Sequence, residues 1–188
     1  MPRVGLTTER LVRAGADLAD EVGFDQVTVS ALARGFDVKV ASLYSHVKSS
    51  QDLKARIALL ALEEMAELLA SALAGRAGKD ALTAYANVYR DYAREHPGRF
   101  AAAQLDLDAE TAAASAGGRH VQMTRAILRG YDLPEPDHVA AVRLLGSVVH
   151  GYVSLERGGG FSHSSPDSQE TWPRILDAVD ALLRNWPE

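Results

Sequence analysis

The chain has 188 residues, of which 47% are hydrophobic and 24% charged, with a net charge of −5 and no cysteine. This is the balance of a globular protein large enough to bury a proper core, and it excludes a disulfide framework and any thiolate metal site. The opening MPRVGLTTERL lacks an apolar stretch of signal-peptide length, and no segment is a charge-free apolar run long enough to span a bilayer; a cytoplasmic location without membrane association is expected.

Helical periodicity predicts about nine helices and no strand, an all-α chain. Leu6 to Val22 reads as the first helix. Thr7 is placed to cap it, Leu6 and Leu11 are spaced as a hydrophobic staple, and Gly23 ends it. Leu11, Ala14, Leu18 and Val22 form its inward stripe. Thr28 to Lys48 reads as two short helices joined by a tight turn. Thr28 caps the first, and Val29, Leu32, Ala33 and Phe36 share its inner face. Asp37 falls where the turn needs a left-handed residue, a role open to Gly, Asn or Asp. Leu43 and Val47 anchor the second helix, leaving Lys39, Ser42, Ser45 and His46 facing outward with no acid among them. Residues 1–56 carry eight Lys/Arg against seven acids, so this part is close to neutral while the rest carries the negative charge.

Ser49 caps a long fourth helix reaching about Ala74, with Asp52 in its first turn. The adjacent acids Glu63 and Glu64 diverge by roughly 100° around the axis and do not converge on one substrate atom. A fifth helix runs from Asp80 to His96, with Leu82, Tyr85, Tyr89 and Tyr92 along one face. A short sixth begins at Arg99-Phe100, and a seventh spans about Ala109 to Arg129 with a weak point at Gly117-Gly118. In the eighth, Asp137 to Glu156, the polar residues Arg143, Ser147, His150 and Ser154 fall on one narrow strip. The remainder is apolar, so this helix is expected to be covered nearly all round, in part by a second subunit. A glycine-containing loop leads to the ninth helix, about Glu170 to Trp186.

The segments TVSALARGFDV (28–38) and LYSHVKSSQDL (43–53) resemble the helix-turn-helix of the tetracycline-repressor (TetR) family of bacterial transcription regulators. Two departures stand out: Asp37 replaces the usual turn glycine, and Ser50 a common lysine. Further on, YRDYAREHPGRF and VVHGYVSLERGGGF resemble the WHG-type C-terminal ligand-binding domain of some such regulators. His150-Gly151 is kept and the tryptophan is not, Gly146-Ser147 occupying its neighbourhood. The resemblance implies a helix-turn-helix DNA-binding domain over 1–53 and a helical ligand-binding and dimerisation domain over 54–188. It implies base contacts from Lys39, Val40, Ala41 and Ser42, and phosphate contacts from Thr28, Tyr44, His46 and Lys48, with Ser45 on the same face. The expected partners are a palindromic double-stranded DNA operator, a second copy of the chain, and a small apolar or aromatic effector.

For that effector the candidates are Tyr85, Tyr89, Tyr92, His120, Met123 and His150, an apolar wall with a few polar handles. No cluster of Arg or Lys lines these helices, so a phosphorylated ligand is not expected. The homodimer seam is expected to use Val142, Leu145, Val149, Tyr152, Val179, Leu182, Leu183 and Trp186. No cysteine nucleophile, phosphate-cradling glycine loop, GxSxG or HExxH pair is present, and the histidines are scattered singly. No catalytic residue, metal or cofactor is therefore expected. The alternative reading is an all-helical ligand-binding protein or enzyme that leaves DNA alone.

Overall fold

A computed structural model describes residues 6–187. Among them there are ten α-helices and no strand. They form two compact units, one of residues up to Glu64 together with Glu95–Ala116, the other of Met65–Arg94 and Gly117 onward.

In the first unit, α1 (Thr8–Val22) is capped by Thr7, whose hydroxyl accepts the Arg10 N–H, and Gly23 ends it at φ 92°. A single 3-10 turn (Phe24–Gln26) leads to α2 (Val29–Gly35). Thr28 caps α2 by accepting the Ala31 N–H at 3.1 Å. Asp37 follows at φ 52°, and the Val38 N–H closes the turn on the Ala33 carbonyl at 3.0 Å. This is the left-handed helix stop that a glycine ordinarily supplies. Next comes α3 (Val40–Leu43), a single regular turn of helix that unwinds from Tyr44. The long α4 (Ser50–Leu73) starts at Ser49, whose hydroxyl accepts the Asp52 N–H while Asp52 accepts the Lys48 N–H. Leu11, Ala16, Ala19, Phe24, Val27, Leu32, Leu43, Val47, Leu53 and Ile57 meet in one core. Val22, expected inward, is half exposed in the last turn of α1.

This unit also contains α6 (Pro97–Ala102), which lies across α1. A Cβ at Gly98 would sit 2.0 Å from the Ala19 carbonyl, so only glycine permits the approach. Asp20 receives the Gly98 and Arg99 backbone N–H groups at 2.8 and 2.9 Å, satisfying donors at the start of α6. The Arg99 side chain reaches Asp17, Asp20 and Glu64. Short α7 (Ala109–Ala114), capped by Asp108, is the last helix of the unit.

The second unit contains the C-terminal end of α4, most of α5 (Gly78–Glu95), α8 (Gly117–Leu128), α9 (His138–Arg157) and α10 (Ser168–Arg184). The single helix expected over 109–129 is thus two helices, because Ser115 is extended (ψ 167°) and accumulated glycines follow. Within the single chain α9 is covered along one side. Its buried residues are Ala141, Leu145, Val149 and Val153, a stripe at four-residue spacing, and the opposite side is exposed in the single chain. Arg90 of α5 is 3% exposed and grips Glu156 of α9 through Nε at 2.9 Å and a terminal nitrogen at 2.5 Å. Its guanidinium lies over the Trp172 ring, and Trp172 Nε1 donates to Asn87 at 2.8 Å. That cluster ties α5 to α9 and α10.

Candidate functional site

In the first unit, the caps of α2 and α4 fix the backbone on either side of α3. Thr28, Lys39, Ala41, Ser42, Tyr44, Ser45 and Lys48 are exposed. Val40 is half-buried against the core, and His46 is half-buried with its carbonyl accepting the Thr8 hydroxyl at 3.4 Å. Tyr44 is 53% exposed, unusual for a large ring and consistent with a contact surface. The Ser45 hydroxyl donates to the Ser42 carbonyl at 2.8 Å. The one acid beside Lys48 is Asp52. Burial acts to raise its pKa, but hydrogen bonds from the Lys48 N–H and Arg56 bring it below the usual carboxylate range. Its charge is therefore offset by Arg56, and the Lys39 and Lys48 ammonium groups are left to face solvent. Ser50 accepts the Val29 N–H at 3.4 Å, a bond lysine has no acceptor to make.

In the second unit, four of the six effector candidates come together. Tyr85 and Tyr89 lie with ring centroids 4.8 Å apart, and Tyr89 Oη is 2.7 Å from His120 Nδ1. His150 packs edge-on against Tyr89 at 4.8 Å. The Thr124 hydroxyl donates to the His120 carbonyl at 2.9 Å and interacts with the Tyr85 hydroxyl, which also meets that of Tyr89. Burial pushes both phenols well above their ordinary range. Burial, then the neighbouring His120, holds His150 below the usual imidazole value, so it is neutral at pH 7. Tyr92 is buried further along α5. Met123 stands apart, lining a cleft with Leu73, Ala74 and Ile127. Thr124, the network's fifth member, was not singled out from the sequence; its position one helical turn after His120 is the signal that was there to use.

The expected dimer residues divide. Leu145 and Val149 are 0% exposed, Leu183 1% and Val179 6%, so they pack inside their own chain and have no surface left for a partner. Val142 and Trp186 are half-buried, and Tyr152 donates its hydroxyl to the Ser168 carbonyl at 2.6 Å. Leu182 is 43% exposed, as are Val139 at 49% and Leu155 at 55%, which sequence reasoning passed over.

Residues 82–179 match the family model described as tetracyclin repressor-like, C-terminal domain. YobS of Bacillus subtilis, named an HTH-type transcriptional regulator, is 30% identical over 98% of this chain and 96% of its own length. The chain belongs to the TetR family. An HTH-type transcriptional regulator of Mycobacterium tuberculosis is 34% identical over 82% of this chain and 72% of its own. The TetR-family regulator PfmR of Thermus thermophilus superposes with a TM-score of 0.67 at 24% identity, covering 98% and 99% of the two chains. A Rhodococcus protein superposes with a TM-score of 0.76 at 18% identity, covering 98% and 97%. The solved structures show the TetR fold, and the family match with the two HTH-type relatives makes this chain a transcription regulator. Among the described residues, no helix is long and apolar enough to cross a membrane, and no group of three acid or histidine side chains is placed to hold a metal ion.

Proposed function

We propose that this TetR-family protein binds a palindromic operator as a homodimer and changes its affinity for that operator when a small effector occupies its C-terminal region. The observation that carries this is the surface of α3 and its following turn. It combines exposed Lys39, Ala41, Ser42, Tyr44, Ser45 and Lys48 on a braced backbone with no uncompensated acid. Lys39, Val40, Ala41 and Ser42 meet base edges, whereas Thr28, Tyr44, His46 and Lys48 meet phosphates. Functionally the division is 1–53 for DNA and 54–188 for effector and dimer, and α4 belongs to both compact units.

The dimer seam uses the open faces of α9 and α10, with Val139, Leu155 and Leu182 in place of the residues buried within the chain. Tyr85, Tyr89, His120 and His150, buried against one another, join α5, α8 and α9 within the part of the chain that senses the effector. One solved relative by fold, the TetR variant of Acinetobacter baumannii, was crystallised with minocycline, which supports a tail that accommodates a polycyclic molecule. Selection of bound duplexes from random DNA tests the whole reading. The expected product is an inverted repeat with two half-sites about one helical turn apart. Recovery of no sequence preference at low salt would remove the proposal in favour of the ligand-binding alternative.

A further inference from the structure

Two clefts in the second unit meet at one side chain. The first, of about 270 Å³, is walled by Leu73, Ala74, Ala81, Met123, Ala126 and Ile127, and Arg76 also lines it. The second, of about 360 Å³, holds Arg76, Lys79, Asp80, Thr83 and Asn87. Arg76 therefore stands on the border between an apolar trough and a polar one, in the turn between α4 and α5. Among the described residues it pairs with no carboxylate, whereas the other exposed cation here, Lys79, is held by Asp177 at 2.8 Å. The Asn87 carboxamide oxygen is already taken by Trp172 Nε1, which leaves the NH2 group as its free function. With Lys79 held by Asp177, Arg76 is the cation of this cleft that no carboxylate claims, although Asp80 also lines it. A Cβ at Gly130 would stand 3.1 Å from the Gly78 N, so the end of α8 closely approaches the start of α5.

From this juxtaposition we propose that the paired clefts bind an amphiphilic anion, its apolar part in the Met123–Ile127 trough and its acidic head on Arg76. The ligand is a carboxylate, sulfonate or comparable single-headed acid rather than a wholly apolar molecule. The sequence-based expectation of a small apolar or aromatic effector with a few polar handles did not weigh Arg76 and Lys79, because they belong to the turn and the first turn of α5, not to the faces that hold the tyrosines. The inference rests on the reading of this region as the effector-binding part of the protein, and assigns that effector its chemical class.

The probe is 1-anilinonaphthalene-8-sulfonate, compared with N-phenyl-1-naphthylamine, which has the same ring frame without the sulfonate. Fluorescence titration of the full-length protein is expected to show saturable binding of both. Arg76→Gln should weaken the sulfonate by about tenfold or more, the scale of a lost charge-assisted bond, and leave the neutral probe within about twofold. Ala126→Phe, which fills the apolar trough from an exposed position, should weaken both. Equal binding of the sulfonate to wild type and Arg76→Gln, with unchanged melting temperatures, overturns the site. Operator binding measured by anisotropy with and without the sulfonate tests the role: unchanged affinity at saturating probe overturns its assignment as the effector. Absence of operator binding by the probe-free protein would instead strike the proposed regulatory function, and leave the binding comparison standing.

Discussion

The region around α3 and the second unit dispose of their polar groups in opposite ways. Around α3 they lie outside and are fixed by partners three or four residues away: Thr28 on Ala31, Ser49 on Asp52, Ser45 on Ser42. In the second unit they lie inside and find partners far along the chain: Arg90 on Glu156, Tyr89 on His120, Trp172 on Asn87. Exposed charges act nearly additively and are screened by salt. Buried groups are costly when a partner is lost, because the survivor keeps its desolvation penalty. Substitutions in the first region should therefore tune DNA binding with little effect on folding, and those in the second should do the reverse.

The largest expected effect comes from breaking the buried pair. Arg90→Met leaves Glu156 without its main partner and should cost about 3–5 kcal/mol in urea unfolding; a loss below about 1 kcal/mol would erase the contrast between the two regions. The same pair gives a pH signature. The Arg90 hydrogen bonds pull Glu156 down to about 2 from an ordinary 4.5. A depressed carboxylate contributes stability above its unfolded pKa and loses it as pH falls through the folded one. Glu156 should therefore contribute roughly 3 kcal/mol that disappears between pH 4.5 and 2. Measured as the difference between wild type and Glu156→Gln, that slope should be absent from the variant.

A smaller effect, of about 1–3 kcal/mol, is expected for Tyr89→Phe, which deprives buried His120 of its 2.7 Å partner. On the other side of the comparison, Thr28→Ala should cost about 1 kcal/mol of stability through the lost cap. Lys48→Ala should leave the melting temperature in place and lower the slope of log affinity against log salt by about one. An unchanged slope would remove Lys48 from the phosphate contacts.

The same contrast explains what the sequence disclosed. The reading turn was legible because its determinants are local: a cap three residues from its donor, and an Asp at the one position with φ 52°. Hydrophobic periodicity likewise sufficed for α5, α9 and α10, whose bounds came within a few residues. It could not say which side of α9 the chain itself covers. Leu145 and Leu182 carry the same side chain, and only the path of the chain through space separates the 0% exposed from the 43% exposed. The split between α7 and α8 turns on the conformation of Ser115, which no single residue preference dictates. Arg76 was missed because a cation in a turn resembles ordinary solvated charge until two clefts are seen to share it.

Asp20 also bears on the order in which this molecule assembles. It takes two backbone N–H groups from the start of α6, 78 and 79 residues later in the chain, and His96 Nδ1 at 3.1 Å. Closing a flexible loop of that length costs about 4 kcal/mol of chain entropy, unless the intervening helices form first and shorten the search. During synthesis α1 to α3 emerge long before α6 exists, and they must wait with the Asp20 carboxylate and the backbone beside Gly98's future place open to water. The first unit is therefore completed late although it begins the chain. Its local hairpin forms early, and its last helix arrives only after α4 and α5 have been made.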